Sequence, residues 1–360
     1  MALIDALKWQ FLTGVVNEIK SPNQFLHRML YGNSQQTVPT EDIRIGVLMG
    51  GREIAPFVRK NGEAIMVGGL TEKEQTVQAP NIRIKRPFTP SELLFGRRPG
   101  TPILLSGNES QMPAVNAHIA RDLQHMADMV TNAQEWLVAM SLQGVITYEE
   151  DDQEVFQITF PRPSDCNITL TTFWDDATPT DVRVLKDLHT AKRVASDNDV
   201  PALTDCVLGA DAADAFISLV EGGYIKGFEN AGANPNVNVG SFDFAAQFRD
   251  DGAILLGRAS GIRFWEYRRT ASLNGTTVNM IRPGYAEFFS TSPAADRVEY
   301  FGAIPDMDAF QGRAAQTKRF SKAWQEDDPS AVQNLIHSRP LPVPRRPAAH
   351  ISMLVVEGAT

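Results

Sequence analysis

The feature that most constrains this chain is a long helix together with what stands before it. Residues 112 to 143 carry one unbroken amphipathic pattern. About seventy residues ahead of it, Pro39 to Ser110, are extended in character, rich in turn residues and poor in helix signals. Long connections without partners of their own are uncommon inside compact domains. Such a segment needs a surface for its apolar groups, and a neighbouring copy of the same chain supplies one. The sequence therefore reads first as that of an assembly subunit and only second as that of an enzyme.

Within the helix, Val115, Ile119, Leu123, Met126, Val130, Ala133, Leu137 and Met140 recur at spacings of four and three. Pro113 suits the first turn and Gly144 supplies the stop. At 1.5 Å per residue the element spans about 46 Å. The stripe is narrow, which predicts that one face packs while the rest meets water or other subunits. A coiled coil is the rival, but four heptads without a ladder of e and g charges speak against it.

Ahead of the helix, Leu3, Leu7, Phe11 and Val15 predict a short helix within residues 1 to 20, and Phe25 to Leu30 a further turn or two. Ile43, Ile45 and Val47 alternate as in a strand, and Gln78 to Lys85 alternates again, which predicts a long two-stranded arm with a polar tip near residues 69 to 78. After the helix, Val145 to Tyr148 and Val155 to Phe160 predict a hairpin around Glu149-Glu150-Asp151-Asp152. Asp181 to Ala195 reads as a helix capped by Thr180, Thr204 to Leu208 as a strand, and Ala212 to Val220 as a helix ended by Gly222-Gly223. Short strands dominate from Phe242 to Phe301, with Asn274-Gly275 marking a hairpin, and Ile351 to Val356 reads as a buried strand. There is no repeated βαβ unit, so the fold class is α+β.

At 360 residues and 43% hydrophobic, the chain has material for two or three domains with a real core. A net charge of −9 argues against tight, sequence-independent nucleic-acid binding, which needs many phosphate-neutralising cations. The two cysteines, Cys166 and Cys206, do not make a disulfide framework, and reduced thiols are the default. The N-terminus lacks the flank, apolar run and cleavage site of a signal peptide. No stretch approaches the roughly 20 apolar residues of a membrane span.

No specific catalytic signature is present: no phosphate-binding loop, no glycine fingerprint after a strand, no nucleophile elbow. His118 and His125 lie seven apart, on one helix face but about 10 Å apart, too far to share a metal unaided. The acidic run Glu149 to Asp152 and the pair Asp175-Asp176 lack the alternating spacing of a calcium loop and read as solvated turns. Cys166 reads as a structural thiol. We therefore expect no catalytic, cofactor or metal residues. Arg97-Arg98 and Arg345-Arg346 each stand beside prolines, and in an acidic chain we read them as ion-pairing with carboxylates across subunit contacts.

Several short segments, in this order and spacing, resemble the lambda-type phage major capsid protein family, also called the capsid E family. They are Ala55-Pro56-Phe57-Val58, Pro80-Asn81-Ile82-Arg83-Ile84-Lys85, Phe95-Gly96-Arg97-Arg98-Pro99-Gly100, Glu135-Trp136-Leu137, Leu142-Gln143-Gly144, Thr147-Tyr148, Trp174-Asp175 and Gly302-Ala303-Ile304-Pro305-Asp306. The most distinctive is Trp324-Gln325-Glu326-Asp327-Asp328-Pro329-Ser330, running into Ser338-Arg339-Pro340-Leu341-Pro342-Val343-Pro344.

The resemblance implies an HK97-like capsid fold. In that reading residues 1–44 form an N-terminal arm, 45–105 an extended E-loop, and 106–200 a peripheral domain whose spine helix is 112–143. Residues 201–300 form an axial domain, and 301–360 return through both domains. It implies the major head protein of a tailed double-stranded DNA phage, a non-enzyme that closes into the hexamers and pentamers of an icosahedral shell. The implied partners are its own copies, a separate scaffolding protein (no long scaffolding segment precedes the arm), a portal at one vertex, a possible decoration protein, and packaged DNA touched weakly. The implied location is the virion, after assembly in the host cytoplasm. Clustered charge at exposed, proline-bounded positions makes Arg59, Lys60, Arg97, Arg98, Arg345 and Arg346 the expected assembly contacts. The rivals are an encapsulin-like nanocompartment shell, an α+β enzyme and a phage tail-tube protein.

Overall fold

A computed structural model describes residues 9–19, 24–49, 71–89, 112–150, 153–176, 178, 182–222, 228–230, 252–273, 275–308, 315–327 and 330–358. In chain order the first elements are α1 (Trp9–Glu18), α2 (Phe25–Leu30), β1 (Gln35–Thr37), β2 (Asp42–Met49), β3 (Thr71–Gln78) and β4 (Ile82–Phe88). The long helix α3 is Met112–Gln143, followed by β5 (Val145–Glu150), β6 (Gln153–Thr159) and β7 (Asn167–Thr169). Next come α4 (Val184–Asp197), β8 (Asp205–Leu208), α5 (Ala210–Glu221), β9 (Phe228–Asn230), β10 (Ala253–Ala259), β11 (Ile262–Tyr267), β12 (Thr270–Leu273) and β13 (Thr276–Asn279). The chain closes with β14 (Tyr285–Phe289), β15 (Arg297–Phe301), β16 (Phe320–Asp327), β17 (Ser330–Ser338), β18 (Pro340–Pro344) and β19 (His350–Leu354).

The largest sheet has seven strands in the order β7-β19-β14-β8-β11-β10-β9. Alternation along its strands sends side chains to two different cores, as the period of two requires. Cys206, Leu208, Phe264, Phe288, Ile351 and Met353 face α4 and α5. Val207, Trp265, Tyr267 and Phe289 face α2 and the end of α3. A register shift between Leu255 and Gly257 flips the parity of β10, so Ala253 lies in one core and Ala259 in the other. Helix α4 buries Val184, Leu188, Ala191 and Ala195, a spacing of four, three and four that lines one face. It begins three residues later than Asp181, and Arg183 precedes it without a side-chain cap; Thr180 lies outside the described residues.

Helix α3 has the predicted bounds but not the predicted environment. Its segment Leu123–Val130 packs on Leu12 and Val16 of α1 and on the three-stranded sheet β16-β17-β4. Leu137 joins the hairpin β5–β6, the sheet β1-β15-β18 and the root of β2–β3. Val138, Ala139 and Leu142 face the seven-stranded sheet. From Val130 to Leu142 the helix is therefore buried on most sides, polar residues included. The narrow stripe understated this, because three separate sheets converge on one rod. Among the described side chains of α1 the buried positions are Leu12 and Val16, while the expected Val15 is half-buried; the side chains of the expected Leu3, Leu7 and Phe11 lie outside the described residues.

The arm also differs in register. Strand β2 pairs antiparallel with residues 71–78, from Asp42↔Gln78 to Met49↔Thr71. The stretch expected to be the tip is thus the returning strand. Residues 82–88 pair instead with β17, from Val332↔Phe88 to Ser338↔Ile82. Polar Thr71–Gln78 gives no alternating signal, and Glu74, Gln75 and Thr76 are exposed.

Candidate assembly interface

The ribbon β2–β3 pairs with no third strand among the described residues. Among the described side chains its buried positions lie at the root: Ile43, Ile45, Val77 and the adjoining Ala79. Beyond the root, Arg44, Glu74, Gln75 and Thr76 are exposed. A bare two-stranded ribbon is marginal in water and leaves two edges unpaired. At the root, Gly302 passes Ala79 so closely that an added Cβ would stand 3.2 Å from the alanine methyl. Arg339 is buried there, bridges to Glu41 at 3.0 Å and donates to the Ala303 carbonyl at 3.1 Å. On the far side of the same segment Arg86 bridges to Asp122 of α3 at 3.0 Å.

Residues 25–37 are held by a buried polar cluster. Glu135, the one carboxylate of α3 beyond Asp128, accepts the backbone N–H groups of Leu26 (2.8 Å) and His27 (3.0 Å) and the Tyr267 hydroxyl (2.9 Å). It thereby satisfies two donors in the first turn of α2, which has no side-chain cap of its own. His27 Nε2 lies 2.8 Å from Glu299, and Gln35 Nε2 donates to the same carboxylate at 2.8 Å. Arg319 donates to Thr131 (2.8 Å) and Gln134 (3.1 Å) on α3. Burial raises the Glu135 carboxyl above its usual range, against the pull of its three donors. Burial alone would lower His27, but the Glu299 hydrogen bond and the charges of Glu299 and Glu135 outweigh it and hold the imidazole above its ordinary value. Sequence reading missed this cluster. The available signal was a single Glu flanked by Trp136 and Leu137 in a stretch with no other charge.

Of the six expected contacts, Arg59, Lys60, Arg97 and Arg98 lie outside the described residues. Arg345 donates its backbone N–H to Asp296 O (3.0 Å) and its guanidinium to the Tyr300 hydroxyl (2.6 Å). Arg346 Nη1 lies 3.4 Å from Asp199 O. Asp296 and Asp199 both have positive φ, 41° and 54°, a region that costs a non-glycine residue energy. The two arginines therefore steady two strained turns of their own chain.

An apolar knob escaped notice in the sequence. Met307 is 86% exposed at the apex of a turn whose flanks, Asp306 and Asp308, are clamped by Lys322 at 2.7 and 2.8 Å. Asp175 and Asp176 accept the backbone N–H groups of Glu357 (3.3 Å) and Thr178 (2.9 Å). The tip of the other acidic run lies outside the described residues. Cys166 is buried, and burial, then Asp165, pushes its thiol up to about 12, which leaves it protonated and unreactive. His125 is exposed on α3. Among the described residues, no three His, Cys, Asp or Glu side chains converge as metal ligands, and no helix is long and apolar enough to cross a membrane.

A family model described as phage major capsid protein E matches residues 8–355. No curated protein matches the sequence. A solved prophage protein of E. coli CFT073 assigned as a capsid protein superposes with a TM-score of 0.68 at 15% identity, over 97% of this chain and 99% of that one. The capsid subunit of cyanophage A-1(L) gives 0.54 at 10% identity, over 94% of each chain. A phage-related protein of Bordetella bronchiseptica RB50 gives 0.51 at 12%, over 96% of each. The fold is the HK97-like fold of phage capsid subunits.

Proposed function

The chain belongs to the phage major capsid protein E family, and we propose that it closes into the hexamers and pentamers of an icosahedral head enclosing the double-stranded DNA of a tailed phage. The observation that carries this reading is the family match, which spans nearly the whole chain. The ribbon adds a physical reason for assembly: among the described residues its outer edges pair with no third strand, and a neighbouring copy can supply one. Heterologous contacts between copies generate rings, and curvature closes them.

In this reading residues 1–44 are the N-terminal arm, 45–105 the E-loop and 106–200 the peripheral domain with its spine helix α3. Residues 201–300 are the axial domain, and 301–360 return through both. The six basic residues named above are the proposed contacts. Arg345 and Arg346 spend part of their hydrogen bonding inside the chain, so the larger share falls to Arg59, Lys60, Arg97 and Arg98. A separate scaffolding protein, a portal and a decoration protein are the proposed partners, and assembly in the host cytoplasm precedes packaging. Net charge of −9 favours weak contact with packaged DNA.

The test is negative-stain microscopy of the overexpressed chain, with and without its scaffolding protein. Closed shells are expected. Open helical tubes, or a monomer whose ribbon beyond the root, residues 46–76, packs on its own body, would overturn the reading. Arg98→Glu is expected to abolish shells while leaving soluble subunits; wild-type shell yield would remove Arg98 from the contacts.

A further inference from the structure

Where α3 ends over the seven-stranded sheet, a cleft of about 290 Å³ stays open. Its walls include Gln143, Asn167, Thr169, Arg282, Tyr285 and Ser352, and none of its lining residues is anionic. Asn167 and Ser352 are neighbours in one cross-strand row on the sheet face that carries α3, and Glu287 continues that row beyond the cleft lining. Two guanidiniums serve that row. Arg162 donates to the Leu142 carbonyl at 2.8 Å, to the His350 carbonyl at 3.3 Å and to Asn167 Oδ1, with no carboxylate in ion-pair reach among the described residues. Arg282 pairs with the buried Glu287 at 2.8 Å, and its Nε is buried without a partner. Arg282 is the charged residue of the lining; counting Arg162 and Glu287, which border it, two positive charges stand against one negative charge around the cleft.

The cleft is also built to hold its cation still. The Arg282 guanidinium stacks on Tyr285, 3.5 Å from the ring centroid. Its loop is pinned from behind, where Gly209 approaches so closely that a Cβ would overlap the carbonyl oxygens of Arg282 and Pro283. Gly209 N–H and Ala212 N–H donate to Tyr285 O (3.0 Å) and Pro283 O (2.9 Å). Arg282 Nε is out of reach of an incoming group, but the side chain is one-third exposed, and the edge of its planar guanidinium not taken by Glu287 can donate to a second carboxylate.

We propose that this cleft binds a carboxylate, supplied in the shell by an acidic side chain of a second copy of the chain. The second copy rests on the capsid reading; the chemistry of the site does not. A shell subunit is surrounded by its own copies, and each carries an excess of carboxylates, 43 Asp and Glu against 34 Lys and Arg.

The test titrates full-length subunits with sodium succinate against sodium chloride at matched ionic strength and follows the thermal midpoint. The comparison is the double variant Arg282→Gln/Glu287→Gln, which removes the pair together because a lone buried Glu287 would destabilise the fold by itself. Asn167→Leu, which crowds the cleft and keeps both charges, serves if the double variant folds poorly. Succinate is expected to raise the wild-type midpoint, with affinity at least about tenfold weaker in either variant. Equal shifts in wild type and variants would overturn the site. If succinate binds but the variants assemble with wild-type yield and salt tolerance, the second copy is not the occupant. If the wild type binds succinate and never forms shells, the capsid reading fails while the site stands.

Discussion

Glu135→Ala is the sharpest test of how this chain holds its N-terminal segment. The carboxylate is fully buried and takes three donors: two backbone N–H groups of α2 and the Tyr267 hydroxyl. Alanine orphans all three in a site that water does not reach. At about 1–3 kcal/mol for each orphaned donor, the loss comes to roughly 3–9 kcal/mol. That is a large fraction of the roughly 5–15 kcal/mol by which domains are stable. Glutamine separates the bonds from the charge. Its oxygen can still serve Leu26 and Tyr267, but its NH₂ faces the His27 N–H, so about one bond is lost, some 1–3 kcal/mol. Removing a desolvated charge returns part of that, since burial already raises the Glu135 carboxyl. Urea unfolding of unassembled subunits at pH 7 measures both variants, and amide exchange over residues 24–38 locates the loosening. The expected order is wild type, then Gln, then Ala. An Ala variant within about 1 kcal/mol of wild type would refute the account of the cluster.

Three further outcomes follow from particular contacts. Asp187 accepts the Trp174 indole at 3.2 Å, and burial raises its carboxyl to about 6. The folded state thus binds the proton more tightly than the unfolded one, so this contribution is present below pH 4 and lost as pH rises through 6; Asp187→Asn should flatten that slope in urea midpoints taken from pH 4 to 7. Gly209→Ala should cost about 1–3 kcal/mol by overpacking, because its Cβ meets two carbonyl oxygens; its φ of −69° rules out backbone strain as the cause. Arg345→Ala should lower the unfolding midpoint of the subunit before any effect on shells, through the loss of the Tyr300 hydrogen bond and of the 3.8 Å ion pair to Asp296, while its backbone N–H still holds Asp296 O; an unchanged midpoint with lost shells would place its role between subunits instead.

What the sequence disclosed, and what it hid, divides along the range of the interactions. The bounds of α3 were readable because Pro113 and Gly144 act locally; Gly144 has φ +83° and its N–H bonds Ser141 O at 3.2 Å. The hairpin at Gly275 was readable for the same reason, with φ +82° there and Leu273↔Thr276 closing the ladder. Pairing partners were not. Gln78–Lys85 alternates as a strand should, yet Pro80 and Asn81 divide it between β3 and β4, and each half pairs elsewhere. Alternation states that a strand has two faces and says nothing of which strand lies beside it. Arg345-Arg346 shows the same limit for charge. A basic pair beside prolines looks outward in one dimension, but Asp296 and Asp199, 49 and 147 positions away in the chain, bring acceptors to it.

The division also bears on assembly. Several polar contacts beside α3 and the ribbon root are made within the chain: Glu135 with α2, Arg339 with Glu41, Arg86 with Asp122. These bonds all converge on α3 or on the roots of the arm and loop. Their effect is to fix where residues 25–37 and the ribbon leave the body, while among the described residues the ribbon pairs with no third strand. Rigid roots with bare edges lower the entropy cost of pairing with a neighbour, because the direction of approach is already set. A subunit that instead ordered its ribbon only on contact would lose that ordering energy at every interface. Loosening the root through Glu135 should therefore weaken assembly even where no residue at a subunit contact has changed, and stiffness at the root, not added charge at the tip, is the physical quantity to which shell yield should respond.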